Sequence, residues 1–286
     1  GLGARRSGAF FGFWRLVEAL DDEGRAPRLV VVENVAGLLT SNGGADFARV
    51  VEMMAARRYL VSALLLNAAD FVPQSRPRLF IVAARAADAA IFSRVEPPSV
   101  PAALAGAVEN LSHQARRSWR WIAAAPVCRR NLSLADILDG TAAFDPARTT
   151  RERLSQMTPR QRAAIRELQS SGARHVGAAF RRVRIEDGEK RLRIEARFDG
   201  LAGCVRTAAG GSSRQIIFEI DRGKIRSRLM TAREAARAMG LPEAYILPAG
   251  ATAALKLVGD GVAPPVVSWL AGNVLEPMLV RAQKAA

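Results

Sequence analysis

Leu29 to Val35 reads L-V-V-V-E-N-V, four apolar residues in a row that close on a carboxylate and an amide. A continuous apolar run is the pattern of a parallel strand buried on both faces. Its polar finish places Glu33 and Asn34 at the rim of a sheet, where open α/β sheets carry their ligands. Upstream, Phe10, Trp14, Leu16, Val17 and Leu20 share one helical stripe that Asp21, Asp22, Glu23 and Gly24 bring to an end. Downstream, a Gly/Ser/Asn loop over 37–44 leads to a helix over about 45–57 and a strand over 60–66. The Pro-bearing loop N-A-A-D-F-V-P-Q-S-R-P-R and a strand over 79–84 follow. This order predicts one βα unit and a terminal hairpin in a mixed α/β sheet.

The rest of the chain changes character. Residues 94–110, with Pro97, Pro98 and Pro101, read as a linker. Up to about 225 the periodicity is poor, apart from a helix after Thr158-Pro159 and a hairpin about Asp187-Gly188. Arginine interleaves with aromatics at Trp119, Arg120 and Trp121, and a Gly-rich segment runs from Ala208 to Gln215. Thr231 and Glu234 form a capping box, with Gly240 and Pro242 closing the helix it starts. Finally L-V-G-D-G-V-A-P-P-V-V leads into a helix through Trp269 and Leu275 to Val280. The expected organisation is an α/β domain over 1–95, a basic β-containing domain over 96–225, and a return to the first domain over 226–286.

Composition narrows the function class. The 286 residues are 49% hydrophobic, enough for real cores and against whole-chain disorder. No apolar run approaches the roughly 18 residues of a membrane span. The first residues, G-L-G-A-R-R-S-G, lack the hydrophobic stretch of a signal peptide, so the expected setting is cytoplasmic, beside the nucleoid. Cys128 and Cys204 lie far apart outside any C-x-x-C, and His113 and His175 are the only imidazoles. Neither a disulfide framework nor a metal site is indicated. Net charge is +15, which points to polyanion partners. The excess is regional: residues 151–240 hold 21 basic against 10 acidic side chains. Lysine occurs only at 190, 224, 256 and 284. Arginine suits bidentate recognition of phosphate and guanine, although codon bias alone could set the ratio.

A second constellation is Gln74, Arg76 and Arg78 in Q-S-R-P-R. Alternation on an extended segment puts the two arginines on one side, and Pro73 and Pro77 stiffen it. Two fixed guanidiniums at a sheet rim would bind an oxyanion or a carbonyl.

E-N-V followed by Q-x-R-x-R resembles the DNA (cytosine-5) methyltransferases. The same order continues in R-T-A-A-G-G-S-S-R-Q (206–215), S-R-L-M-T-A-R-E-A-A-R-A-M-G-L-P (227–242) and G-D-G-V-A-P-P-V-V (259–267). S-G-A-F-F-G-F near the start is similar to the segment that follows the family's catalytic loop. The resemblance covers roughly 1–90 and 200–286, with a variable target-recognition region between. It implies a partial Rossmann-like methyltransferase sheet with a second, smaller β-rich DNA-recognition domain. The chemistry it implies is addition of a cysteine thiolate to C6 of cytosine, methyl transfer from S-adenosylmethionine to C5, then elimination. Glu33 would donate to N3, its proton affinity raised by burial, and Arg78 with Arg76 in support would hold the cytosine carbonyl. The base must leave the duplex stack to reach such a pocket. Gly259, Asp260, Gly261 and Val262 would lie against the methionine part of the cofactor. Arg206, Ser212, Ser213, Arg214 and Gln215 would face double-stranded DNA.

Two family parts are absent from these residues: the glycine-rich cofactor loop and the P-C-Q loop that supplies the nucleophile. Neither P-V-C-R at Cys128 nor A-G-C-V-R at Cys204 matches the latter. The expectation is a fragment, or a split subunit, that needs an N-terminal methyltransferase partner and is inactive alone, with one edge of the Leu29 strand left open. The competing class is a non-catalytic DNA-binding remnant. RNA (cytosine-5) methylation is a third possibility, which the basic insertion suits less well.

Overall fold

The computed structural model describes residues 9–86, 91–123, 125–127, 129–206 and 214–279. The chain divides into two compact units, one of Gly1–Leu66, Pro77–Pro126 and Ser268–Ala286, the other of Asn67–Arg76 and Val127–Val267. These limits do not coincide with divisions at 95/96 and 225/226: the Q-S-R-P-R motif itself is cut between Arg76 and Pro77.

In the first unit, helix α1 (Ala9–Asp22) precedes strand β1 (Leu29–Val35), and helix α2 (Ala45–Ala56) precedes β2 (Leu60–Asn67) and β3 (Pro77–Ala84). The strand order is β1-β3-β2, with β1 antiparallel to β3 in a register running from Leu29 opposite Ala84 to Val35 opposite Arg78. Six successive residues of β3, Leu79 to Ala84, are buried, so β3 shows the two-faced burial of a central strand. That corrects the reading of Leu29–Val35 as a parallel strand buried on both sides, since its pairing with β3 is antiparallel. Among the described residues β1 has β3 as its neighbour on one side, and Val31 and Val35 are exposed.

Phe10, Trp14 and Val17 of α1 and Phe47, Val50, Val51 and Met54 of α2 enter one core with Tyr59, Val61, Leu79, Ile81 and Ala83. Burial of apolar side chains on this scale, each contributing about 1.5–3 kcal/mol, fixes the sheet that carries Glu33 and Arg78. The proline-rich stretch is more than a linker: strand β4 (Phe92–Ser93) precedes it and it holds helix α3 (Ala102–Glu109), whose Leu104, Ala107 and Val108 are buried. Helix α4 (His113–Ser118) and strand β5 (Trp121–Ile122, paired with β4) complete this region, with Trp119 and Trp121 edge to face in the same core.

The second unit contains helices α5 (Ala147–Ser155) and α6 (Pro159–Ser170), then strands β6 (His175–Glu186), β7 (Glu189–Arg197), β8 (Ile216–Asp221) and β9 (Lys224–Leu229). They form an antiparallel sheet of order β7-β6-β8-β9. Thr158 caps α6 and proline begins it, as the sequence predicts. Asp187 and Gly188 both take positive φ, 54° and 80°, the conformation of a two-residue hairpin turn. Ile165, Ala179, Ile194, Ile216, Phe218 and Ile220 form this unit's core with Met157. Pairing of β6 with β8 stops at Ala179, so β6 and β7 run on as a two-stranded ribbon. Helix α7 (Ala232–Ala238) starts at the expected capping box of Thr231 and Glu234. Helix α8 (Ala251–Asp260), which no capping side chain announces, precedes α9 (Pro264–Leu270), and a π-helical turn over Ala271–Leu275 continues from it.

Candidate functional site

Glu33 sits two residues before the end of β1, and Arg78 is the second residue of β3. Because Val35 faces Arg78 and Glu33 faces Phe80, Glu33 and Arg78 are diagonal neighbours on one face of the antiparallel pair, within reach of long side chains. Arg78 Nε lies 2.8 Å from Glu33 Oε1, with the side chains 15% and 28% exposed. Arg78 Nη1 also donates to the carbonyl of Pro77 at 2.9 Å. Glu33 is thus half-buried beside a cation. Asn34 turns inward on its own chain, its Oδ1 accepting from the Val35 amide at 2.8 Å. The result is a carboxyl group, which accepts when ionised and donates when protonated, and a guanidinium fork of donors side by side at one place on the sheet, a pair that can meet neighbouring polar atoms of a planar heterocycle.

Gln74 and Arg76 take other partners, within the second unit. Gln74 is fully buried. Its Oε1 accepts from the Val205 amide at 2.9 Å, and its Nε2 donates to the Ala238 carbonyl at 2.9 Å. Arg76 is 5% exposed. Its Nη1 donates to the Val205 carbonyl at 2.9 Å and its Nη2 to the Gly261 carbonyl at 2.7 Å. Arg76, read as the support of Arg78, is engaged by backbone here.

The G-D-G-V segment is the end of a helix. Gly259 and Asp260 close α8, Asp260 pairs with Lys256 one turn earlier at 2.7 Å, and the Gly261 carbonyl is the one Arg76 holds. Val262 is exposed. These four residues offer one apolar side chain and some backbone, which can line one side of S-adenosylmethionine but do not make a cradle for its adenosine and amino-acid ends.

Of the residues assigned to DNA, Arg206 is exposed, while Ser212 and Ser213 lie outside the described residues. Arg214 Nη2 donates to the Met230 carbonyl at 2.7 Å. Gln215 is buried, with its Oε1 3.3 Å from the Gly203 amide. Gln215 therefore serves the scaffold. A residue the sequence reading passed over is Arg228, whose guanidinium is bound by both carboxylate oxygens of Glu234 inside the unit. The capping box exposed Glu234, but nothing in spacing named its partner. Burial pushes the Glu234 carboxyl up, yet the Arg228 bonds and the amides of Thr231 and Asp139 hold it below its usual range.

Among the described residues no cluster of His, Cys, Asp and Glu could hold a metal ion, and no helix is long and apolar enough to cross a membrane.

The chain is similar to known proteins along most of its length. It is 24% identical over 279 residues to the type II methyltransferase M1.ScrFI of Lactococcus lactis subsp. cremoris, covering 96% of this chain and 57% of that enzyme. A 60-residue stretch is 48% identical to M.BspRI of Lysinibacillus sphaericus, 14% of that protein's length. The chain therefore spans well under two thirds of these relatives. The fold is that of the S. pombe Dnmt2 methyltransferase, with TM-score 0.51 and 16% identity over 97% of this chain and 75% of that one. A DNMT2 variant of Spodoptera frugiperda matches equally, at TM-score 0.51 over 93% and 71%. The family model described as C-5 cytosine-specific DNA methylase matches residues 1–276, so the chain belongs to that family.

Proposed function

We propose that this chain forms the cytosine-binding and DNA-recognising part of an enzyme that methylates C5 of cytosine in double-stranded DNA, working in the cytoplasm at the nucleoid. The observation that carries the reading is the Glu33–Arg78 pair at 2.8 Å, set by strand register in a member of this family. A target base flipped out of the stack offers ring N3 and the exocyclic O2 beside it as neighbouring acceptors. Glu33 would hold the proton at N3, and Arg78, shifting one of its N–H groups from Glu33, would bind O2. Both contacts draw electron density from the ring and favour attack at C6. S-adenosylmethionine, when bound, supplies an activated methyl group; Val262 and the backbone of Gly259, Asp260 and Gly261 would line one side of it.

The thiolate that attacks C6 is proposed to come from outside these 286 residues, on a fragment or subunit that also brings the glycine-rich cofactor loop. Cys204, the cysteine among the described residues, lies 3.5 Å from Arg76 in the second unit and in no P-C setting. The exposed Arg206 and the arginine-rich second unit would supply the DNA contacts.

The test is methyl incorporation into cytosine-containing DNA by the chain alone, and by the chain mixed with a polypeptide carrying the glycine-rich loop and P-C-Q. Incorporation only in the mixture, lost in Glu33→Ala, is the expected result. Incorporation by the chain alone would refute the external nucleophile. DNA binding without methylation in any mixture would leave a recognition protein.

A further inference from the structure

Q-S-R-P-R treats its two arginines as equals, but their surroundings differ. We propose that Gln74 and Arg76 are positioning residues that set the backbone at Val205 and at Gly261, leaving Arg78 as the arginine of the motif that meets the base. The inference rests on the methyltransferase reading for what the positioned segments do, not for the clamp itself.

Residues 73–76 lie alongside 202–205. The Ala202 amide donates to the Pro73 carbonyl at 2.8 Å, the Ser75 amide donates to the Ala202 carbonyl at 2.9 Å, and Gln74 and Ala202 form a parallel bridge. Beyond that bridge side chains take over: Gln74 binds the Val205 N–H and Arg76 the Val205 C=O, so both backbone polar groups of one buried residue are held by this short stretch. The other ends reach further, Gln74 Nε2 to Ala238 at the end of α7 and Arg76 Nη2 to Gly261 after α8. One planar guanidinium thereby ties two chain segments through two different nitrogens, which a lysine ammonium cannot reproduce in that geometry. Val205 is followed by the exposed Arg206, and Gly261 by the exposed Val262. The clamp thus fixes, at its two ends, a residue assigned to DNA and one assigned to the cofactor.

The test has two arms on the whole chain, the second with its nucleophile-bearing partner present. In the first, hydrogen exchange is followed in peptides spanning 202–206 and 258–262. Arg76→Met should speed exchange in both and Gln74→Glu in the first, with circular dichroism confirming that each variant is folded. Unchanged exchange would overturn the proposal whether or not the assembly methylates. In the second, Arg76→Met should raise KM for DNA and for S-adenosylmethionine about tenfold each with kcat within about threefold, as expected when a charged hydrogen bond to a buried carbonyl is lost. Arg76→Lys should restore one KM and not both. Arg78→Met should instead lower kcat at least about a hundredfold. If Arg76→Met lowered kcat with both KM values unchanged, Arg76 would be a catalytic residue and the proposal wrong. An assembly that fails to methylate at all would count against the function, and the exchange arm would still decide the clamp.

Discussion

Arg78 Nε stands 2.8 Å from Glu33 Oε1 across the antiparallel β1–β3 pair, both side chains on one face because Val35 is the register partner of Arg78. The pair is partly solvated, so its contribution to stability is small, about 1 kcal/mol or less. Glu33→Gln is therefore expected to leave the thermal unfolding midpoint within a few degrees of wild type. Methyl transfer by the reconstituted enzyme should fall by about a hundredfold or more, the range for removing a positioned proton donor. A loss of folding that matched the loss of rate would show the pair to be structural.

How far this arrangement was legible depends on sequence distance. The β1, α2, β2 and β3 segments follow from local periodicity, and the ribbon turn follows from Asp187-Gly188, whose positive φ values the dipeptide tolerates. Helix α3 was hidden behind Pro97, Pro98 and Pro101, although Pro101 is its N-cap and stops nothing downstream. Helix α8 was hidden because Gly250 caps it without a side-chain bond. The partners of Arg76 were illegible for a different reason. Its acceptors, Val205 and Gly261, lie 129 and 185 residues away along the chain, and no local pattern reports such partners.

Acid sensitivity should centre on Glu234. Its carboxyl is depressed below the ordinary 4.5 because the bonds from Arg228 and two backbone amides outweigh the opposing effect of burial. A depressed carboxylate contributes stability that is fully present above the unfolded value and is lost as pH falls through the folded value. Chemical denaturation should thus show a declining midpoint once pH drops below about 4.5. Glu234→Gln should cost about 3–5 kcal/mol at neutral pH, since Arg228 keeps its charge in the interior. The variant should also lose part of the acid dependence, and an unchanged acid limb would mean that other carboxylates control it.

Gly240 should tolerate no side chain. It takes φ of +79°, and a Cβ there would stand 2.6 Å from Pro265 Cγ and 3.0 Å from Val72 Cγ1. The left-handed backbone alone costs an L residue roughly 1 kcal/mol, and the proline ring cannot swing aside as a flexible chain end would. Gly240→Ala is expected to lower stability by about 2–4 kcal/mol, read from denaturant midpoints. A change under about 0.5 kcal/mol would mean that the α7 and α9 ends separate readily.

The arginine excess of the second unit is not all available to a polyanion. On the β6–β7 ribbon, Arg182 and Arg184 lie against Glu195, and Arg191 and Arg193 against Glu186. The bonds from Arg193 in turn hold the Glu186 carboxyl below its ordinary value, and four arginines share two carboxylates there, so part of the ribbon's positive charge is already neutralised. Arg206 is exposed just outside the Gln74–Arg76 clamp. In DNA titrations from low to moderate salt, Arg206→Ala should weaken binding alike across sequences and reduce the slope of log K against log salt by about 0.9, one phosphate contact. Removing Arg184 together with Glu195 subtracts a balanced pair and should leave that slope nearly unchanged. Equal effects of the two changes would show that the ribbon opens its ion pairs to meet DNA, and that binding draws on the whole arginine cluster.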